Sequence, residues 1–345
     1  MGDRQIPIGS RGGRLVAVDR PDLPRIRAAA ESLRPLIHRT PIVTSRLLDE
    51  AAGRRVFLKA ECLQKGGSFK IRGAATALKA LGAEARRDGV VAHSSGNHAQ
   101  AVALAARQFG VDAVIVMPED ANHLKVAATT AYGATVVQAG VTAANRAERA
   151  DEYVREGRYL IHPFDDWSVI TGQGTLGLEI AADAAEDIEM VLFPIGGGGL
   201  ISGSAIALRA LRPDVRIIGV EPAACAAAKA SREAGRRITL PPEETVADGA
   251  RVSVGEKAWS VISELVDDIV SVEDEEIIEA VHFILTRSKL VVEPTGAMTV
   301  AALLSRRFPG GAAVAVLSGG NLDPQMLAQH RRGKSTRGSR RTRCE

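Results

Sequence analysis

Two patterns of apolar positions recur along this chain. Short continuous runs of aliphatic and β-branched residues predict buried strands of a parallel sheet. They lie at 40–44, 56–60, 89–93, 113–117, 135–137, 159–162, 190–195, 216–220 and 313–317. Longer segments with apolar residues at helical spacing predict α-helices. These lie at 22–36, 45–52, 97–110, 124–132, 142–156, 175–185, 200–211, 273–288 and 295–306.

Strands and helices alternate through most of the sequence, which is typical of open, doubly wound α/β folds. Right-handed crossovers then place helices on both faces of each sheet. The polar segment 231–254 contains Pro241 and Pro242, and we expect a long connection at the surface or over the site. We find no internal repeat.

Composition is that of an ordinary soluble globular protein. The 345 residues are 46% hydrophobic and 25% charged, and only 3% are aromatic, so aliphatic side chains must fill the core. We expect no membrane span and no signal peptide, because no long uncharged apolar run is present. Cys62, Cys225 and Cys344 form no CxxC pair, which favours a cytoplasmic location.

Charge is concentrated at the C-terminus. Residues 330–345 carry seven Lys/Arg and one acid, so the net charge of +3 becomes about −3 for the remainder. We therefore expect a basic disordered tail at 329–345, a loose arm at 1–20, and a body that binds no specific nucleic acid.

Lys70 is the first candidate for chemistry. It follows Ser68 and Phe69 and precedes the small residues of a predicted helix start at Gly73. Desolvation lowers the pKa of an ammonium group, and only the free amine forms a Schiff base with an aldehyde. The sequence therefore predicts a reactive lysine here, whereas a lysine in isolation would be a solvated charge.

Three polar or glycine-rich segments follow predicted strands, where ligands of open α/β sheets bind. Gly196, Gly197, Gly198 and Gly199 open a helix and could turn successive N–H groups onto one phosphate. Residues 94–98 (SSGNH) offer hydroxyl, amide and backbone donors to an oxygen anion, although a helix cap would look similar. Residues 318–321 (SGGN) could place the Ser318 hydroxyl beside an aromatic nitrogen.

Residues 172–177 (GQGTLG) match the GxGxxG spacing of dinucleotide sites. No hydrophobic strand precedes them, so we predict a tight loop near the cofactor. A nicotinamide-dependent oxidoreductase remains an alternative that depends on this segment.

Taken together, these segments resemble one family. SFKIRGA (68–74), SSGNH (94–98), GQGT (172–175), PIGGGG (194–199), GVEP (219–222), EPTG (293–296) and SGGNLD (318–323) occur in order. They resemble the pyridoxal-phosphate enzymes of the tryptophan-synthase β fold, in the threonine/serine dehydratase and serine racemase branch. The resemblance spans about 26–327.

The resemblance implies a fold and a cofactor. The fold would be α/β, with two doubly wound open-sheet domains and pyridoxal 5′-phosphate between them. Residues 21–88 and 165–328 would form a large cofactor-binding domain, and 89–164 a small one. A homodimer or homotetramer is expected.

The resemblance also implies roles for single residues. Lys70 would hold the cofactor covalently and then act as acid and base at Cα, and Ser95 would be the opposite-face base of racemases. The other cofactor-binding residues would be Phe69, Asn97, Gly196, Gly197, Gly198, Gly199, Glu293 and Ser318. The substrate carboxylate would be bound by Ser94, Ser95, Gly96, Asn97, His98 and Arg146.

One position departs from the racemase pattern. Glu221 matches a metal ligand, but Ala227 stands where metal-binding racemases carry a second carboxylate. The sequence therefore predicts no divalent cation site.

The expected activity is α,β-elimination of water from L-threonine or L-serine, giving a 2-oxo acid and ammonia. Racemisation of serine, or dehydration of another β-hydroxy amino acid such as 3-hydroxyaspartate or phenylserine, remains open. The expected partner is a small amino-acid substrate.

Overall fold

The structure is a computed structural model that describes residues 19–241 and 243–326. It contains a six-stranded and a four-stranded sheet, each covered by helices. The arm 1–20, except its last two residues, and the tail 329–345 lie outside the described residues. The α/β prediction is confirmed, and the division into two domains stays a prediction.

The larger sheet has the strand order β1-β2-β10-β7-β8-β9. Its strands are β1 (Ile42–Thr44), β2 (Val56–Lys59), β7 (Ile188–Pro194), β8 (Arg216–Pro222), β9 (Asp268–Val272) and β10 (Ala312–Val316). Only the pairing of β1 with β2 is antiparallel among these strands. The central strands are buried on both faces, which explains their continuous apolar runs.

The smaller sheet lies between β2 and β7 in the chain and is parallel throughout. Its strands are β3 (Val90–His93), β4 (Ala113–Val116), β5 (Thr135–Val137) and β6 (Tyr159–Leu160), in the order β5-β4-β3-β6. Because parallel strands share one carboxyl edge, the segments after β3 and β6 meet at the same side.

The helices of the described residues follow the predicted alternation. They are α1 (Leu23–Leu33), α2 (Arg46–Ala52), α3 (Lys70–Ala80), α4 (Ala83–Asp88), α5 (Asn97–Phe109), α6 (His123–Ala131), α7 (Arg146–Arg155), α8 (Trp167–Asp183), α9 (Gly199–Leu211), α10 (Ala227–Glu233), α11 (Glu256–Leu265), α12 (Asp274–Phe283) and α13 (Pro294–Leu304). A π-helical turn, Ile284–Ser288, extends α12. None of the described helices is long and apolar enough to cross a membrane.

The loop predicted at 172–177 is wrong, because these residues lie inside α8. Their glycines allow helices to approach closely. A Cβ on Gly172 would lie 2.4 Å from the carbonyl oxygen of Arg72, and one on Gly174 would lie 2.8 Å from that of Gly203. The GxGxxG spacing therefore reflects the packing of α8 against α3 and α9, and the dinucleotide alternative loses its structural basis.

Four elements were not predicted: the short helices α4 and α10, strand β9 and helix α11. β9 was missed because Asp268 and Ser271 interrupt its apolar run. Helix α11 was missed because it directly follows the polar segment 231–254.

Candidate active site

A cavity of about 240 Å³ lies where β3, β7 and β10 end. It is lined by every residue that the sequence predicted for cofactor or substrate binding: Phe69, Lys70, Ser94, Ser95, Gly96, Asn97, His98, Arg146, Gly196, Gly197, Gly198, Gly199, Glu293 and Ser318. Segments far apart in sequence thus meet at the carboxyl edges of both sheets.

Lys70 is the first residue of α3. Its Nζ donates a hydrogen bond to the carbonyl oxygen of Pro163 at 2.9 Å and lies 5.2 Å from the ring centroid of Phe69. Burial lowers the pKa of this amine to about 8, against an opposing effect of the Glu293 carboxylate. The free amine of Lys70 is therefore far more populated near neutral pH than that of an exposed lysine, although the ammonium form still predominates at pH 7.

The four glycines form a concave turn at the N-terminus of α9. A Cβ on Gly197 would lie 2.1 Å from the ring of Phe164, and Gly198 has a φ of +88°. The first N–H groups of a helix have no intrahelical acceptor, and the helix dipole adds positive potential there. This turn suits an anion such as a phosphate.

The segment 94–98 connects β3 to α5, and it places a second helix N-terminus at the cavity. The backbone N–H of Gly96 donates to Ser94 Oγ at 3.2 Å. His98 is buried beside the carbonyl oxygen of Ile161, 2.8 Å from Nε2, and burial lowers its pKa well below the usual value. The neutral His98 ring fixes the helix start, while the serine hydroxyls line the cavity.

Asn97 belongs to a chain of hydrogen bonds. Its Nδ2 donates to Glu293 Oε1, and its Oδ1 accepts from Asn321 Nδ2 at 2.8 Å. Asn321 also donates to the carbonyl oxygen of Gly66 at 3.0 Å. Burial raises the pKa of Glu293 to about 7, with Lys125 opposing that change. The amide of Asn97 is thus held from both ends.

Residues that the sequence did not indicate form the remaining wall. They include His93, Lys125, His162, Phe164 and Asp248, whereas Gln173 of the same wall belongs to the GQGT segment quoted above. Lys125 of α6 pairs with Asp248, and Asn122 at the cap of α6 donates to Asp323 at 2.7 Å. Helix α6, which covers the smaller sheet, is therefore joined to segments that border the larger one. No motif could have found these residues, because each depends on tertiary contacts.

Arg146 begins α7 and is a partly buried cation of the cavity wall, as Lys125 is. Burial lowers its pKa, and within the described residues its guanidinium has no hydrogen-bonded or ion-paired acid. Lys125, in contrast, has Asp248. An uncompensated guanidinium in a cavity favours a negatively charged ligand.

The first turn of α3 takes part in a buried ion network that the sequence did not predict. Arg72, the third residue of α3, donates to both oxygens of Glu61 at 2.8 Å and to Glu179 of α8 at 2.7 Å. Lys59 of β2 donates to Glu179 at 2.6 Å. The network joins the start of α3, and hence the backbone of Lys70, to β2 and α8.

Pyridoxal phosphate fits the residues present. A buried amine of lowered pKa, a glycine turn closed to side chains and the Ser318 hydroxyl after β10 line one cavity. Ser68 Oγ, Gln173 Oε1 and Glu293 Oε2 are buried in or near it without a partner in the described residues. These features suit a polar aromatic aldehyde with an anionic arm.

Glu221 lies away from this cavity. Its carboxylate accepts from the backbone N–H groups of Ala228 and Lys229 at 2.8 and 2.9 Å, and burial raises its pKa to about 7. Within the described residues no cluster of three or more acids, histidines or cysteines could hold a metal. The carboxylate serves the start of α10.

Comparison with known proteins gives consistent results. The family model described as pyridoxal-phosphate dependent enzyme matches residues 33–319. A serine racemase of Arabidopsis thaliana is 45% identical, over 88% of this chain and 93% of the relative. An L-threo-3-hydroxyaspartate ammonia-lyase of Saccharomyces cerevisiae is 42% identical, over 89% and 95%.

Among solved structures, a threonine deaminase from T.th. has a TM-score of 0.84 and 50% identity, covering 88% of this chain and 99% of that one. The similar proteins therefore include a racemase and two enzymes that release ammonia, at comparable levels of identity.

Proposed function

We propose that this chain, which belongs to the family of pyridoxal-phosphate-dependent enzymes, removes water from L-threonine or L-serine. The products would be a 2-oxo acid and ammonia. The observation that carries this proposal is the meeting, in one cavity, of a buried amine, a glycine turn for a phosphate and a serine-rich segment for a carboxylate.

The bound cofactor would supply an electron sink that stabilises negative charge at the substrate Cα. Gly196, Gly197, Gly198 and Gly199 would hold its phosphate, and Lys70 would hold its aldehyde carbon. Ser318 would face the ring nitrogen and Asn97 the ring hydroxyl. A neutral hydroxyl at the nitrogen makes the sink weaker than a carboxylate would, which favours prompt loss of the β-substituent.

The chain's own residues then position the substrate and move its proton. The N-terminus of α5 and the hydroxyls of Ser94 and Ser95 would bind the α-carboxylate. Lys70, released from the aldehyde by the substrate amine, would take the Cα proton, since its pKa of about 8 leaves it a working base near neutral pH.

A second candidate substrate is 3-hydroxyaspartate. Arg146 lines the cavity without an acidic partner among the described residues, and a β-carboxylate would neutralise it. The yeast relative supports this candidate by name.

Serine racemisation is the alternative activity, supported by the Arabidopsis relative and by Ser95 at the cavity wall. In that reaction Ser95 would serve the opposite face of Cα, so Ser95→Ala should reduce racemisation more than dehydration.

The decisive experiment measures 2-oxo acid release and serine racemisation by one enzyme preparation. The substrates are L-threonine, L-serine and L-threo-3-hydroxyaspartate. The proposal expects oxo acid from threonine or serine, and Arg146→Gln should reduce turnover of hydroxyaspartate selectively. Interconversion of the serine enantiomers without oxo acid would overturn the proposal.

We also propose a cytoplasmic homodimer or homotetramer. Cys62 and Cys225 are buried free thiols, which is consistent with a reducing compartment. Light scattering of the purified protein measures the assembly.

A further inference from the structure

His162 lies on the connection between β6 and α8 with its ring at the cavity wall. Its Nδ1 accepts hydrogen bonds from the backbone N–H groups of Phe164 at 3.3 Å and Asp165 at 2.8 Å. An atom that accepts from two amides carries no proton of its own. The neutral ring must therefore carry its proton on Nε2.

The other ring nitrogen, Nε2, is available to a ligand in the cavity that His162 lines. It has no hydrogen-bond partner in the described residues. It is also not one of their fully buried, unpartnered polar atoms, so it remains accessible. Two rings meet the His162 ring edge-on: that of Phe164, with centroids 4.8 Å apart, and that of His93, with centroids 6.4 Å apart. His162 thus presents one N–H donor to whatever occupies the cavity.

The ring stays neutral over the working range of an enzyme. Burial lowers its pKa to about 4, Lys70 and Lys257 contribute in the same direction, and Asp165 opposes them. A neutral imidazole stabilises charge on an oxygen by hydrogen bonding without losing its proton.

The position of His162 fits the reacting end of a substrate. The next residue, Pro163, accepts from Lys70 Nζ at 2.9 Å, and Phe164 fills the space beside Gly197. The segment therefore runs between the amine and the phosphate turn. The serine-rich segment follows β3, which pairs with β6, so His162 lies between the Lys70 amine and the proposed α-carboxylate site, where Cα and its β-substituent would lie.

We propose that His162 donates its Nε2–H to the β-hydroxyl oxygen of the substrate and stabilises the charge that develops there as the Cβ–O bond breaks. This role rests on the proposed dehydration. The Cα–H electron pair becomes the Cα=Cβ bond, and the oxygen leaves with the Cβ–O pair. Lys70 holds the Cα proton, which joins the departing hydroxide as water, so the step is balanced.

Two variants separate this role from the structural role of Nδ1. His162→Asn keeps an acceptor near Nδ1 for the two amides but has no donor at the position of Nε2. His162→Gln reverses this, with an amide N–H near the position of Nε2. His123→Asn, at an exposed position outside the cavity lining, is the control.

The kinetic test compares leaving groups. Chloride departs from β-chloro-L-alanine without a proton, so its elimination does not need the donor. His162→Asn should lower kcat/KM for water loss from L-threonine by about 100-fold and chloride elimination by less than about threefold. His162→Gln should recover part of the water loss.

A second measurement is independent of turnover. The ring ¹⁵N shifts of histidine-labelled protein, assigned with His162→Asn, should show a neutral Nε2–H tautomer from pH 5.5 to 8. A proton on Nδ1 overturns the proposal.

The kinetic results distinguish failure of the His162 role from failure of the proposed function. Equal loss of water and chloride elimination in His162→Asn, or no loss of either, overturns the role of His162 alone. A parent enzyme that eliminates chloride but never water overturns the proposed function and this role with it.

Discussion

At the scale of single residues, Lys70 is subject to two opposing effects. Burial disfavours its ammonium form, and the Glu293 carboxylate favours it, with burial the stronger effect. We predict that covalent capture of pyridoxal phosphate by the cofactor-free protein rises with pH around a midpoint near 8, rather than near 10.5. The yield of borohydride-fixed adduct, measured by mass spectrometry, gives this midpoint.

The matched variants are Lys70→Ala, which should form no adduct, and Lys65→Ala, which should form it normally. Adduct at another lysine, or a midpoint above 10, would remove Lys70 from its role.

Glu293 carries a prediction about stability. Its pKa is raised from 4.5 to about 7, mainly by burial, so the folded protein binds this proton more tightly than the unfolded chain. The stabilisation is complete below pH 4.5 and is lost as the pH rises to 7. We predict that Glu293→Gln gains stability relative to the parent across this window in the cofactor-free protein.

The measurement is urea unfolding at several pH values, with the difference between variant and parent as the readout. That difference removes the contribution of His93, His98 and His162, whose lowered pKa values act in the opposite direction over part of the range. A difference that is constant from pH 4.5 to 7 would contradict the prediction.

At the scale of elements, α3 begins with the reactive lysine and is fixed two residues later by Arg72. We predict that Arg72→Met costs about 3–5 kcal/mol of unfolding free energy, because Glu61 and Glu179 lose their buried partner. Lys79→Met on the exposed side of the same helix should cost less than about 0.5 kcal/mol.

Chemical denaturation measures both variants. Adding Glu61→Gln to Arg72→Met should recover part of the loss, since one unpaired charge is then removed. Equal stability of Arg72→Met and Lys79→Met would show that the network does not hold α3.

The elements also show what the sequence could and could not predict. Strands β4, β7 and β10 could be predicted from the sequence, because each forms a short, continuous run of apolar residues. Burial on both faces of the sheet requires apolar side chains at every position of such a strand. The glycines of 172–177 were misread because close helix packing and tight turns require the same residue. Only tertiary contact with Arg72 and Gly203 distinguishes them.

In the candidate active site, too, some residues could be predicted from the sequence and others could not. Lys70 and Gly196–Gly199 were found because each depends on the local sequence at the start of one helix, α3 and α9 respectively. His162 and Lys125 were not, since a histidine or lysine acquires meaning only from the atoms brought to it by folding.

At the scale of the whole molecule, two contacts join α6 to the segments beside the larger sheet, namely Lys125 with Asp248 and Asn122 with Asp323. Asp248 is half exposed, and such a pair contributes at most about 1 kcal/mol. Loss of the Lys125–Asp248 pair should therefore increase local opening of the cavity wall and leave the global stability almost unchanged.

We predict that Asp248→Asn accelerates amide hydrogen exchange in α6 while leaving the unfolding free energy within about 1 kcal/mol of the parent. Asp112→Asn breaks the comparably exposed pair with Arg158 beside the smaller sheet, and it should leave exchange in α6 unchanged. If both variants had equal effects on α6, or neither had any, the Lys125–Asp248 pair would not hold that helix over the cavity. Selective acceleration would show that this pair restrains α6 against the segments beside the larger sheet.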